Sequence, residues 1–135
     1  MESQTHINLV NIIAEYIKSL VLEEEHSLIC LDTSGNNNAV RIIGNYIPDV
    51  YYSGGGKLII GEAKTLNDFE RLHSKEQFEA YMKEFLLFQG ECTLVIGVPW
   101  QLVITAKNYF ARLRRQMDVD VNVIIINEMS RCFFV

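Results

Sequence analysis

Ile47-Pro48-Asp49-Val50 and Ile60-Gly61-Glu62-Ala63-Lys64, joined through Ser53-Gly54-Gly55-Gly56-Lys57, form the stretch whose reading decides the fold. Two short apolar runs flank a glycine-rich turn, which is the pattern of a β-hairpin. With residues 54–57 as the loop, Ser53 pairs with Leu58, and counting back along both strands sets Asp49 opposite Glu62. Facing residues of a hairpin hold their Cβ atoms about 4.5–5.5 Å apart, within reach of one small cation. Side chains alternate along a strand, so Glu62 and Lys64 share one face while Gly61 and Ala63 take the other. Two facing carboxylates repel each other unless a cation or a proton lies between them. The arrangement reads as a metal site.

Outward from the hairpin, the strand carrying Asp49 is expected to run from Ala39 to about Ser53. Gly44 and Pro48 inside it favour a bend, a bulge or an edge, which places Asp49 where the strand deforms. Asp32-Thr33-Ser34-Gly35-Asn36-Asn37-Asn38 is a turn-rich loop, preceded by a first strand, Ser27–Leu31. The chain opens with a helix from about His6 to Glu23, its buried stripe being Val10, Ile13, Ile17, Leu20 and Val21. Glu23-Glu24-Glu25 is unfavourable at a helix C-terminus and marks the exit.

Beyond Lys64 the period changes. Ser74-Lys75-Glu76-Gln77 has the form of a capping box, and Phe78, Tyr81, Met82, Phe85 and Leu86 follow at helical spacing to Gly90, a C′ residue. Cys92–Val98 is a nearly continuous apolar strand, which implies burial on both faces. A third helix spans about Thr105 to Met117 and buries Tyr109, Phe110, Leu113 and Met117; Val119–Ile126 is a further strand, and Cys132–Val135 a short last one. The strand–helix–strand tail implies parallel pairing and the hairpin antiparallel pairing. The expectation is a single α/β domain over residues 1–135, a mixed β-sheet flanked by helices on both faces.

Composition narrows the function. A net charge of −5 over 135 residues argues against a protein that coats nucleic acid non-specifically, while leaving a local basic groove open. Three cysteines, Cys30, Cys92 and Cys132, have no paired spacing and read as buried thiols of a reducing, cytoplasmic compartment. No signal peptide and no membrane-length apolar run is visible. His6, His26 and His73 lack ligand spacing to one another, which argues against zinc. Gly54-Gly55-Gly56 reads as a hairpin turn, not a phosphate loop.

Pro48-Asp49, twelve residues, then Glu62-Ala63-Lys64 resembles the signature of the PD-(D/E)xK nuclease superfamily. That superfamily includes restriction endonucleases, Holliday-junction resolvases, RecB-type nucleases and VRR-NUC domains. The expected order αβββαβαβ is similar to its restriction-endonuclease-like core across nearly the whole chain, and Gln77 and Tyr81 have the Gln-x-x-x-Tyr spacing of the RecB-type branch. The resemblance implies a magnesium-dependent deoxyribonuclease, with manganese substituting, most simply an endonuclease acting on DNA as a homodimer. It implies that Asp49, Glu62 and the Ala63 carbonyl hold the metal, with Glu15 of the first helix as an added acidic ligand. Lys64 would position water or stabilise charge at phosphorus, and Gln77 and Tyr81 would orient Lys64 or touch the DNA backbone. Magnesium suits such a set, since it takes hard oxygen ligands and keeps several waters.

Plainer readings stand beside these. Asp49 or Glu62 with Lys64 makes an ion pair, Gln77 closes a capping box, Tyr81 is a core aromatic, and Glu15 partners Lys18. Lys107, Arg112, Arg114 and Arg115 form the densest basic patch; it reads as a phosphate contact or as favourable charge on a solvated helix C-terminus. The rival functions are a binding module of the same fold and a structural α/β domain with incidental acids. Duplex, single-stranded, flapped and branched DNA, and RNA, stay open as substrates.

Overall fold

Leu9, Val10, Ile13, Ala14 and Ile17 recur at helical spacing and form the buried stripe of helix α1, Gln4–Leu20. Ser3 caps it, its hydroxyl accepting from the His6 N–H at 3.1 Å. The computed structural model of the chain describes residues 3–32, 41–65 and 72–135. After α1, Glu23–Leu28 forms a 3₁₀ turn where a strand was expected to begin. Glu23, Glu24 and Glu25 stand in its first turn, where the helix dipole favours acids, so the run disfavoured at the end of one helix starts the next. Only Cys30–Leu31 is left to pair as strand β1.

The sheet is mixed and six-stranded: β1, β2 (Val50–Gly54), β3 (Lys57–Ala63), β4 (Glu91–Gly97), β5 (Asn122–Ile126) and β6 (Cys132–Phe134), in that spatial order. β3–β4 and β4–β5 pair in parallel, as expected of the strand–helix–strand tail, and the other neighbours are antiparallel. Helix α2, Leu72–Leu87, connects β3 to β4, and helix α3, Val103–Met117, connects β4 to β5. Alternation sorts the core into two layers. Leu58, Ile60, Leu94, Ile96, Val123 and Ile125 pack with α2 and α3, and Ile59, Ala63, Val95 and Ile126 pack with α1. Helices therefore cover both faces.

Several boundaries differ from expectation. Ser53 does pair with Leu58, but Gly54 also pairs with Lys57, and the turn tightens to Gly55-Gly56. Both turn glycines have positive φ (58° and 76°), the demand of a type I′ hairpin. β2 starts at Val50, not near Ala39; before it, Ile43 and Tyr46 bridge across a tight turn. Most of the expected 32–38 loop lies outside the described residues. Since α2 begins by Leu72, Ser74 is buried inside its first turn and is not the cap. Gly90 stands at the entry to β4, where Glu91 N donates to Gly56 O (2.9 Å), beyond the end of α2 at Leu87. Of the thiols, Cys92 is buried and Cys30 and Cys132 are half-buried; all three are free. No helix among the described residues is long and apolar enough to cross a membrane.

Gly61 and Gly97 set how closely α1 approaches the sheet. A Cβ on Gly61 would meet Ile13 Cγ2 at 2.5 Å and Val50 Cβ at 3.1 Å; one on Gly97 would meet Ile13 Cδ1 at 2.7 Å. Gly61→Ala is therefore expected to lower the free energy of urea unfolding by about 1–3 kcal/mol through overpacking. A loss below about 0.5 kcal/mol, the level of an indifferent surface change, would mean that α1 is seated less tightly than this.

Candidate active site

The β2–β3 ladder is interrupted at Asp49. Pro48 has no N–H to donate, and pairing ends at Val50–Gly61. One residue further, side chains replace the ladder. Asp49 Oδ2 accepts from the N–H of Ala63 (2.9 Å), and Asp49 N donates to Glu62 Oε1 (3.3 Å). Asp49 thus stands across from Glu62, as the hairpin count requires. In an extended strand the N–H and C=O of one residue point to the same side, so the Ala63 carbonyl is directed toward Asp49 as well.

Glu62 and Lys64 point to the face covered by α2, with Lys64 Nζ 4.0 Å from Glu62 Oε2. Lys64 Nζ also lies 5.8 Å above the centre of the Phe78 ring, within cation–π range. Phe78 is itself wedged edge-on against Phe110 of α3, at 4.7 Å between ring centres, which fixes α2 against α3. One turn along α2, Gln77 Nε2 donates to Tyr81 Oη (2.8 Å) and Tyr81 Oη donates to Glu62 Oε1 (2.8 Å). Gln77 and Tyr81 were expected to orient Lys64 or to touch the DNA backbone; in the structure Gln77 bonds to Tyr81 and Tyr81 to Glu62. All five side chains are buried, Tyr81 completely.

Burial is the main force on Glu62 and holds its carboxyl well above the ordinary range. The Asp49 charge pushes the same way, with Lys64 opposing. Burial and the neighbouring Glu62 also raise the Tyr81 hydroxyl, which therefore keeps its proton and serves as a fixed donor. Two nearby groups were missed in the sequence. His6, in the first turn of α1, brings Nε2 to 3.4 Å from Asp49 Oδ1. Asp32 donates its N–H to Asp49 O (2.9 Å), and burial followed by the Asp49 charge raises its carboxyl. His6 has no ligand spacing to the other histidines, and nothing local marks it as the partner of a carboxylate 43 positions on.

The remaining candidates lie elsewhere. The exposed Glu15 pairs with Lys18 Nζ at 2.9 Å and does not join the cluster, because its position on α1 faces away from the Ile13–Ile17 stripe. Arg114 is committed to the carbonyls of Val121 and Val135, both at 3.1 Å. α3 leaves the end of β4 and returns toward the start of β5, so it runs against the parallel strands. Arg112 and Arg115 consequently sit about 14–18 Å along its axis from the end of the sheet that holds Glu62. Lys107 is nearer, about 6 Å along. Among the described residues no three His, Cys, Asp or Glu side chains form a ready cage. Two adjacent carboxylates and a carbonyl suit a hard cation that retains water, and the raised Glu62 carboxyl marks the charge that such a cation would relieve.

Comparisons of the chain with protein-family models, with curated proteins and with solved structures give no match.

The raised Glu62 carboxyl makes stability depend on pH. The folded state holds a proton that the unfolded chain releases near 4.5, so Glu62 favours folding below that pH and loses this contribution as pH rises. Without divalent metal, Glu62→Gln is expected to unfold at higher urea than the wild type at pH 8, the two curves converging toward pH 4.5. Parallel curves would show that Glu62 carries no such burial penalty.

Proposed function

We propose that this chain is a divalent-metal-dependent nuclease of the PD-(D/E)xK type, acting on DNA as an endonuclease. The observation that carries this reading is the buried pair Asp49 and Glu62 at an interrupted hairpin end, with Lys64 on the same face as Glu62. Partly buried strands seldom hold two acids and a lysine without a specific use for them. The mixed sheet and the element order through α3 support a restriction-endonuclease-like assignment.

Asp49, Glu62 and the Ala63 carbonyl would hold the metal. When bound, magnesium or manganese supplies Lewis-acid charge to a phosphate and lowers the pKa of coordinated water. Lys64, with its ammonium beside Glu62, orients water and neutralises charge developing at phosphorus. Tyr81, itself held by Gln77, fixes the rotamer of Glu62 through a donor that stays protonated, and the His6 ring stands against the Asp49 carboxylate at 3.4 Å. Action as a homodimer belongs to this proposal, since two such sites would let so small a domain cut both strands of a DNA substrate.

A second reading, a nuclease-fold binding module, is favoured by the net charge of −5 and by the distance of the α3 arginines from the carboxylates. Cleavage of labelled duplex, single-stranded, flap and junction DNA separates the two. Cutting should require magnesium or manganese and stop with EDTA. It should fall about 10²–10³-fold in Asp49→Ala and Lys64→Ala, the usual cost of losing one transition-state contact, and stay near wild type in Glu15→Gln. Binding without metal-dependent cutting, equal in wild type and variants, would establish the module instead.

A further inference from the structure

Trp100, the single tryptophan of the chain, leaves 60 % of its surface in solvent on a backbone fixed from several sides. Pro99 sets the preceding φ, Leu102 N donates to Pro99 O (2.9 Å), and Val98 N donates to Ile126 O (3.0 Å). The Trp100 N–H is held by both oxygens of Glu128, at 3.0 and 3.2 Å. The β5–β6 turn that supplies Glu128 is equally fixed. The buried Asn127 accepts from the N–H groups of Met129 and Arg131, both at 3.0 Å. Met129 and Arg131 are exposed beside Glu128, and Ile104 is exposed one helical turn after Trp100. A large aromatic side chain exposed on a fixed backbone, with an apolar neighbour and a guanidinium on the adjoining turn, has the make-up of a nucleobase platform.

Its place in the fold says which strand it serves. Trp100 lies three residues beyond Gly97, and Gly97 pairs with Ala63 at the end of β3. Three residues span at most about 10 Å, so the Trp100 backbone stands within about 10 Å of Gly97, the end of the strand next to the one that leads into Lys64. Bases inside a duplex stack on each other and offer no free face, whereas an unpaired strand does.

We propose that Trp100 is a base-stacking platform for an unpaired strand lying across the carboxylate site, so that the substrate class is single-stranded, frayed or flapped nucleic acid. This rests on the nuclease reading for what happens to the strand, though not for its binding.

The test is run in EDTA, so that cutting cannot intervene. An oligothymidylate should quench Trp100 emission saturably, while a strand of equal length and charge made of abasic sugars should not. Trp100→Ala should weaken binding of labelled oligothymidylate about 5- to 150-fold, the worth of one stacked base. Trp100→Phe should lose less, and duplex binding should be unchanged. Equal affinity of Trp100→Ala and wild type, or equal quenching by the abasic strand, would overturn the platform. An emission shift that grows with protein concentration alone would assign this face to a second copy of the chain. Metal-dependent cleavage read in parallel separates the two ideas: cutting retained without stacking removes only the platform, and stacking retained without cutting removes only the nuclease.

Discussion

One N–H decides much of this structure. The N–H of Ala63 emerges at the end of β3 where the neighbouring strand has no carbonyl to offer, because the ladder stops at Val50. A buried amide left unpaired costs about 1–3 kcal/mol, and the Asp49 carboxylate satisfies it. That bond draws an acid into the interior beside Glu62. The placement of Lys64, Tyr81 and Gln77 follows, because each lies on a strand or helix already fixed by apolar packing. The same residues that end the sheet thereby assemble its most polar point.

This point works against folding. Two acids share a buried space with one ammonium at 4.0 Å and one neutral phenol at 2.8 Å, so the anion on Glu62 is poorly compensated. Natural structures keep such sites when function depends on them and recover the loss in the surrounding core. Here that core is the double layer of Ile59, Ile60, Leu94, Val95 and Ile96 against three helices. The hydrophobic layers and the carboxylate cluster thus oppose each other across a few ångströms of one strand, β3.

Much of this was legible in the sequence, for local reasons. Period-two alternation fixed which residues of β3 face α2, and a glycine turn set the pairing of Ser53 with Leu58. A four-residue helical step placed Gln77 and Tyr81 on one side. Tertiary docking was not legible. His6 reaches Asp49 only because α1 lies across the sheet, and the α3 arginines are removed from the carboxylates only because that helix runs against the strands. Local competition misled as well: the Glu23–Glu25 run expected to end α1 lies beyond its end at Leu20 and begins a 3₁₀ turn, and the Ser74 box lies inside a helix already under way. Glu15 is the instructive case, since the helical stripe that predicted the burial of Ile13 and Ile17 already turns position 15 outward.

α1 is fastened to the hairpin at both of its ends. Near the turn, Lys57 Nζ holds the Leu20 carbonyl at 3.1 Å, while His26 Nε2 bridges the carbonyls of Lys18 and Val21. At the far end, His6 meets Asp49. Between them the helix rises about 1.5 Å per residue and the strand about 3.3 Å, so seventeen helical residues and seven strand residues cover nearly the same length. The helix is a strut cut to the length of the strand it braces. Adding one residue to α1 would rotate one end by about 100° against the other, so either the Lys57 anchor or the His6 contact would be given up. Lengths of helix and strand in this chain are consequently free to change only together.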